Sequence, residues 1–463
     1  MSKGSLVFVE PMGSQFNVYS KFMSIPLLGP VNLGTMARQW GWQVQILNEN
    51  ILKREVSDKE LLEADILAVS SMTSTVERGR QIARRYRQLR SDNGLPCRSL
   101  IGGIHASMLP HDVSEDFDQV VCGEAEPIFR DLLEGKFKDK IIKGPQLIDL
   151  DSIPIPDFSL VKDWENVKIW PVMTSRGCPF TCNFCSVTQM FGRNYRTQSP
   201  ERVLEEVMRY DKGWIFFVDD NFAADLRRTD AILDGMLKYG FRRPWSAQVR
   251  TEIARNPELL AKMKKAGCLI LYIGLESINP QSLTDLKKKQ TVEDISTAIR
   301  VIQSIGIQVH GMFMLGNDPD SPDIFHATSE FARKSGLNYI QCNVLTPLPG
   351  TEVFSKFEAE GRLLHKNWEF YDGLHVVFKP KNMSALQLQK GMVSCFRSFY
   401  NYNGALKDFM NAGAKLFSGR LRNYPSEARF QAFFPSVMKL AGKGIVSDWV
   451  RQNSSYMKQL EAV

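Results

Sequence analysis

Three of the eight cysteines, Cys178, Cys182 and Cys185, fall within one short loop. Residues 169–185 read I-W-P-V-M-T-S-R-G-C-P-F-T-C-N-F-C. An apolar, strand-like run ends at Ser175, and Arg176-Gly177 then turns the chain into the cysteines. In a reducing compartment, thiolates clustered this closely bind metal instead of forming disulfides. Three thiolates with no evident fourth leave a metal or cluster one ligand short, and an open coordination position is where a substrate binds. The alternative is a structural zinc knuckle completed by another Cys or His. Such sites come as paired C-x2-C units, and the chain has no second pair. Cys97, Cys122, Cys268, Cys342 and Cys395 are scattered through apolar surroundings and read as small core residues.

Other residues able to do chemistry stand at the ends of apolar runs. Asp219 and Asp220 follow the run 214–218, Gln248 and Arg250 bracket the end of the next, and Glu276 closes Y-I-G-L-E-S. A carboxylate would pair with a ligand's ammonium, and an arginine would clamp its carboxylate as a two-pronged fork. Each alone reads equally as a helix cap or a surface ion pair; at successive strand ends they read together as a ligand-binding rim. Earlier in the chain the corresponding positions are Ser70-Ser71-Met72-Thr73, Gly102-Gly103-Ile104-His105 and Gly123-Glu124-Ala125-Glu126. Small residues there let a ligand approach the backbone, although any fold of this kind also needs turns.

The elements that must position these residues follow from periodicity. Strand-like runs at 6–9, 43–47, 66–70, 99–101 and 119–122 alternate with helical patterns such as 28–40 and 76–90. This predicts a doubly wound, Rossmann-like parallel sheet over residues 1–149, whose ligands sit beyond the carboxyl ends of the strands. Residues 150–168 are a linker that opens on the proline-spaced L-D-S-I-P-I-P-D-F. Strands at 170–174, 214–218, 245–249, 268–273, 307–314 and 339–345 then alternate with helices at 200–210, 225–239, 257–266, 291–305 and 323–334. Six such units predict a partial or full barrel over 169–360. Residues 361–463 read as mostly helical. There Phe396, Phe399, Tyr400, Phe409, Phe417, Phe430, Phe433 and Phe434 lie among Lys407, Lys415, Arg420, Arg422, Arg429 and Lys439. These are helices packing aromatics onto the barrel, or a lid over a greasy substrate with a basic face for peripheral membrane contact.

A length of 463 residues implies two or three domains, and the net charge of +7 permits an anionic partner without demanding one. The apolar run within residues 1–10 is short and interrupted by a glutamate, and no window reaches a membrane-spanning length, so a cytoplasmic location is expected. The basic residues form no continuous run, and no nucleic-acid module is evident.

The spacing C-x3-C-x2-C, with Phe184 before the last cysteine, resembles the signature of the radical S-adenosylmethionine (SAM) enzymes. The resemblance implies that Cys178, Cys182 and Cys185 hold a 4Fe–4S cluster whose fourth iron chelates SAM, and that an electron from the cluster splits SAM into a 5′-deoxyadenosyl radical. It also implies an open six-unit barrel. Asp219 or Asp220 would hold the SAM amino group, Arg250 its carboxylate, Glu276 the ribose or methionyl end, and Phe184 would sit near the adenine, with Gln248 on the same rim. The preceding domain, with G-G-x-H and then G-E-x-E, resembles the cobalamin-binding domain of the cobalamin-dependent, class B radical SAM methyltransferases. There Ser70, Ser71, Met72, Gly102, Gly103, His105, Gly123, Glu124 and Glu126 would enclose the cofactor. The D-x-H-x-x-G motif that supplies a cobalt-ligating histidine is absent, since Gly103 stands two residues before His105 and Leu109 two before His111. Cobalt bound base-off, without a protein histidine, is the implication; an empty first domain is the alternative. Further matching segments are G-R-N-Y-R-T-Q-S-P-E at 192–201, F-F-V-D-D-N-F at 216–222, V-R-T-E at 249–252, A-G-C-L-I-L-Y-I-G-L-E-S at 266–277, G-M-F-M-L-G at 311–316 and T-P-L-P-G-T at 346–351.

Together these imply methylation of an unactivated carbon, by a deoxyadenosyl radical and methylcobalamin, on a small and hydrophobic or natural-product substrate. The same cofactors serving cyclisation, ring contraction or oxygen insertion, and a non-catalytic sensor, are the other readings. A flavodoxin or ferredoxin reductant is implied by the chemistry.

Overall fold

The computed structural model describes residues 3–17, 24–417 and 433–462. Of the carboxyl-terminal residues singled out above, Arg420, Arg422, Arg429 and Phe430 lie outside the described residues, as do the side chains of Lys415 and Phe417. The chain forms two compact units. One comprises Met1–Val249, Ala261–Leu269 and Pro347–Asp372; the other comprises Arg250–Leu260, Ile270–Thr346 and Gly373–Val463.

The first unit opens with β1 (Ser5–Glu10), β2 (Gln43–Asn48), β3 (Ile66–Ser70), β4 (Ser99–Gly102), β5 (Gln119–Gly123) and β6 (Ile141–Gly144). They lie in the order β2-β1-β3-β4-β5-β6 with every pairing parallel. A parallel sheet is covered on both faces, so its strands must be apolar throughout instead of alternating. Leu6, Val7, Phe8 and Val9 are accordingly all buried. The order reverses between β1 and β3, which makes their carboxyl ends the topological switch point where such sheets bind ligands. Strand β6 was not anticipated: it is four residues long, at the sheet edge, and carries Lys143.

The helix Val76–Asp92 holds six arginines yet packs well, because Val76, Gly79, Ile82, Ala83, Tyr86 and Leu89 fall on one face. The proline-spaced stretch after β6 packs onto this domain: Phe158, Leu160 and Val161 are buried, and the Asp157 amide donates to Thr35 Oγ1 at 3.0 Å. Of the five scattered cysteines only Cys97 is exposed; the other four are core residues.

A second set of parallel strands follows. In the first unit β10 (Trp214–Phe217) lies between β7 (Ile169–Val172) and β11 (Trp245–Val249). A two-residue antiparallel pair, β8 (Ser175–Arg176) with β9 (Arg196–Thr197), flanks the cysteine loop. In the second unit β13 (Gln308–Leu315) pairs in parallel with β12 (Cys268–Glu276) and β14 (Tyr339–Val344). Each of these six parallel strands is followed by a helix, as the periodicity predicts. The carboxyl-terminal region is helical, over Ala385–Phe399, Tyr402–Phe417 and Phe434–Gln452.

The turn carrying Asp219 and Asp220 is pinned by aromatic packing. Phe217 and Phe222 stand on either side of it with ring centroids 4.6 Å apart, and both pack against Trp245. All three are fully buried, and the Phe222 amide donates to the Gln248 carbonyl at 2.9 Å. Phe222→Ala is therefore expected to destabilise this unit by about 3–5 kcal/mol. Urea unfolding followed by tryptophan fluorescence measures this, and a loss under about 1 kcal/mol contradicts the assigned role.

Candidate functional site

In the first unit the carboxyl ends of the β1–β5 sheet open onto a cavity of about 470 Å³. Among the predicted positions, Ser70, Gly102, Gly103, Gly123, Glu124 and Glu126 line it. Gly103 has φ +99° and Gly123 φ +78°, a region costly for residues with a Cβ. A Cβ on Gly103 would run into the Ser71 carbonyl, and one on Gly123 would lie 2.9 Å from the Gly144 carbonyl. Phe8, Leu28, Val69, Leu100 and Phe129 supply apolar walls. A broad apolar floor with exposed backbone suits a flat, amide-fringed macrocycle such as a corrin.

Three predicted positions do not line this cavity. Met72 points outward, 49% exposed, and Ser71 is buried with its amide donating to the Gly102 carbonyl. His105 is fully buried, with Nε2 3.0 Å from Asp112 Oδ2 and its ring edge-on to Trp368 at 5.4 Å. Burial depresses its pKa despite the Asp112 carboxylate. Trp368 Nε1 donates to the same Asp112 oxygen, so this histidine fastens residues 347–372 onto the first domain.

Glu124 and Glu126 have partners that sequence reasoning missed. Glu124 Oε2 accepts from Arg176 Nη1 at 2.8 Å, and its Oε1 from Arg196 Nη2 at 2.5 Å. Glu126 Oε1 accepts from Arg176 Nη2 at 2.5 Å. All four residues are at most 9% exposed. Burial works against the Glu124 charge, but Arg196 and Arg176 outweigh it and hold the carboxyl below its ordinary value. Arg176 also lines the cavity and stands two residues before Cys178.

The loop beyond Arg176 carries the three cysteines, all half-buried, with Phe184 half-buried between the last two. The Cys185 amide donates to the Cys182 carbonyl at 3.3 Å, folding the loop back on itself. Burial pushes the Cys185 thiol up to about 11, and negative charge on Asp220, Cys182 and Cys178 adds to the effect. Among the described residues no three His, Cys, Asp or Glu side chains converge on a ready-made metal cage. The three sulfurs thus share one loop, mutually repelling when ionised, and a cationic cluster would relieve that repulsion. A donor set of three thiols and nothing else fits an iron–sulfur cluster with one open iron.

The two adjacent aspartates differ sharply. Asp219 is buried; it accepts from the Thr174 amide at 3.1 Å and Thr174 Oγ1 at 2.9 Å, and from Ser175 Oγ. Arg228 in turn donates to the Thr174 carbonyl at 2.8 Å. Asp219 therefore ties down the chain entering the cysteine loop. Asp220 is accessible and lines the cavity, where desolvation by the walls and the neighbouring Asp219 push its carboxyl up to about 7. Gln248 is half-buried at the end of β11.

The second unit holds Arg250 and Glu276. Arg250 Nη2 donates to the Lys288 carbonyl at 2.6 Å and lies 3.1 Å from Glu252 Oε1. Glu276 follows a β-bulge at Gly274 and has φ +60°, a strained conformation costing roughly 1–2 kcal/mol. Its Oε1 accepts from the buried Lys288 Nζ at 2.6 Å. Gln290 supports the bulge by donating to the Gly274 and Leu275 carbonyls. Lys288 and Gln290 carried no sequence signal, lying in the ordinary-looking run K-K-K-Q.

Comparison with known proteins identifies both domains. Residues 172–332 match the Radical SAM superfamily and residues 24–133 the B12 binding domain. The chain thus carries a radical SAM domain preceded by a B12-binding domain. It is 26% identical over 422 residues to the bacteriochlorophyllide d C-12(1)-methyltransferase of Chlorobaculum tepidum, covering 88% of this chain and 89% of that one. It is 28% identical over 340 residues to the hopanoid C-2 methylase of Rhodopseudomonas palustris, covering 70% and 63%. The fold is similar to the radical SAM methyltransferase TsrM from Kitasatospora setae, solved with cobalamin and a [4Fe-4S] cluster. The TM-score is 0.63 at 16% identity, over 78% of this chain and 75% of that one. This radical SAM enzyme is of the C-methyltransferase kind, and its cofactors are a 4Fe–4S cluster, SAM and cobalamin. Among the described residues no helix is long and apolar enough to cross a membrane.

One more buried group escaped sequence reasoning. Glu10, at the end of β1, is buried; its Oε2 accepts from the Leu27 amide at 3.0 Å and from Asn48 Nδ2 at 2.5 Å, fixing the start of the helix Leu28–Gln39. Burial raises its pKa to about 8 against these two hydrogen bonds. A carboxyl raised on folding is favoured neutral, so its penalty begins above the unfolded value of 4.5 and is complete above about 8. Glu10→Gln is thus expected to gain a few kcal/mol on the wild type as pH rises from about 4.5 to about 8, and nothing at pH 4. Thermal unfolding across that range measures the difference, and a pH-independent gap contradicts it.

Proposed function

We propose that the enzyme transfers a methyl group to an unactivated carbon of a hydrophobic substrate, such as a polycyclic lipid or a tetrapyrrole. The observation that carries this reading is the pairing, in one unit, of a three-thiol loop with an apolar cavity at the switch point of a B12-binding domain. The two relatives above, by name a bacteriochlorophyllide methyltransferase and a hopanoid methylase, support both the reaction and the character of the substrate. When bound, the cluster with SAM supplies a hydrogen-abstracting radical, and the cobalamin a transferable methyl group.

The chain's residues have distinct tasks in this reading. Cys178, Cys182 and Cys185 ligate the cluster. Asp220, open to the cavity where Asp219 is fully engaged, takes the SAM ammonium, whose positive charge would restore the ionisation that desolvation disfavours. Arg250 is assigned the carboxylate, Glu276 the ribose or methionyl end, and Phe184 the adenine, with Gln248 a further SAM-binding candidate. The strand-end glycines Gly102, Gly103 and Gly123 admit the corrin, and the apolar walls exclude water from the reacting carbon.

A one-electron donor such as flavodoxin or ferredoxin completes the system. The domain limits 1–149, 150–168, 169–360 and 361–463 divide these tasks, with the last segment meeting the substrate. On that segment Tyr402, Leu406, Phe409, Met410, Val437 and Leu440 are exposed, and residues 402–452 hold eight Lys or Arg against three Asp or Glu. Exposed apolar residues within so basic a stretch of sequence support peripheral contact with an anionic membrane, from which a greasy substrate would be drawn.

Anaerobically reconstituted enzyme is expected to hold about four irons and one cobalamin per chain. With SAM, a reductant and a lipid or pigment extract, it should give 5′-deoxyadenosine and a product 14 mass units heavier, the mass of an added CH2. Cys182→Ala should lose the iron–sulfur absorbance and deoxyadenosine formation while keeping cobalamin. Full cleavage in that variant contradicts the cluster assignment, and a product of unchanged carbon count contradicts methylation.

The membrane reading has its own measurement. The double variant Leu406→Glu, Phe409→Glu is expected to lose at least about tenfold in flotation with phosphatidylglycerol vesicles, while wild type ignores phosphatidylcholine alone. Equal flotation of both proteins contradicts it.

A further inference from the structure

The four buried charges around the cysteine loop form a mechanical connection. Arg176 and Arg196 are register partners on the antiparallel pair β8–β9, an arrangement in which like charges repel. Glu124 sits between them and accepts from both, and from the Leu147 amide at 3.0 Å; Glu126 engages only one arm of Arg176. Both ends of the connection lack slack. On one side Gly123 is held at φ +78° against the Gly144 carbonyl. On the other, Gly177 lies at φ +84°, where a Cβ would come 2.5 Å from the Asn194 carbonyl, and Cys178 follows directly. Glu124, Glu126 and Arg176 line the cavity, whereas Arg196 does not.

We propose that Glu124 is a positioning residue that couples occupancy of the cavity to the arrangement of the cysteine loop, so that corrin and cluster each tighten the other's binding. This rests on the assignment of the cavity to cobalamin. A corrin seated against Glu124 and Arg176 restricts the same side chains that set the path of the chain into Cys178. A cluster that fixes Cys178 restricts them from the other side. Coupling of this kind is reciprocal by linkage, and the carboxylate holding both arginines is where it concentrates.

The test titrates hydroxocobalamin into the full-length protein, followed by absorbance, once without iron and once after reconstitution of the cluster. In the wild type, reconstitution is expected to tighten hydroxocobalamin binding about tenfold, within the usual range of site–site coupling. In Glu124→Gln the factor should fall below about twofold, while Glu126→Gln keeps most of it. Circular dichroism establishes that each variant is folded. If Glu124→Gln does not fold, Arg196→Lys, which touches neither the cavity nor a cysteine, should lower the factor in its place. Equal affinity with and without the cluster in the wild type overturns the proposal, as does undiminished coupling in the folded variants. A wild type that takes up no hydroxocobalamin in either state overturns the cofactor assignment itself, and the coupling with it.

Discussion

The cysteine loop depends on a buried, charge-balanced core of two glutamates and two arginines. None of the four could stay ionised there alone, because removing one partner of a buried pair costs roughly 3–5 kcal/mol through the charge left uncompensated. With Glu124 in place, Arg176 and Arg196 close the β8–β9 pair that bounds the loop. A second anchor acts just before it, where Asp219 holds the amide and hydroxyl of Thr174 and Arg228 holds its carbonyl. The chain entering the loop is thus held from both sides before the first cysteine is reached.

The cavity follows from a different constraint. Parallel strands send all their carboxyl ends the same way, and reversal of strand order between β1 and β3 parts the connections on either side. The space so opened is bordered by Gly103 and Gly123, where a Cβ would meet backbone, and walled by the residues that make the sheet's core apolar. Glu10 anchors the first helix from the end of β1, its carboxyl raised by burial among the apolar strands. Because Glu124 and Arg176 belong to both the cavity and the loop, the two constraints meet there.

Much of this was legible in the sequence, for definable reasons. Strands of a parallel sheet are largely apolar runs, so β1 and β3 were readable to within a residue, and the cysteine spacing is too specific to arise from packing. The edge strand β6 escaped because four residues beside lysines carry little pattern. Long-range partnerships escaped altogether. Glu124 lies 52 residues from Arg176 and 72 from Arg196, and nothing local to G-E-A-E says that its carboxylates serve arginines. His105 misled for a related reason: a histidine after two glycines at a strand end suggests a ligand, but helix geometry turns its ring toward Asp112 and Trp368. Lys288 and Gln290 were invisible because their importance comes from the left-handed backbone of Glu276, which no sequence period encodes.

The pair Asp219-Asp220 shows why a motif locates a site without assigning its roles. The two carboxylates are chemically identical and adjacent, yet consecutive residues at a strand end point in opposite directions. One is turned inward, where Thr174 and Ser175 consume its lone pairs and Arg228 stands nearby, so its charge belongs to the architecture. The other is turned outward into the cavity with a raised pKa and its chemistry unspent. A cationic ligand arriving there meets a carboxyl whose ionisation it stabilises, which makes binding and deprotonation a single linked event. The inward residue fixes where the loop begins, and the outward one is left free for a ligand; each role exists because the neighbouring aspartate fills the other.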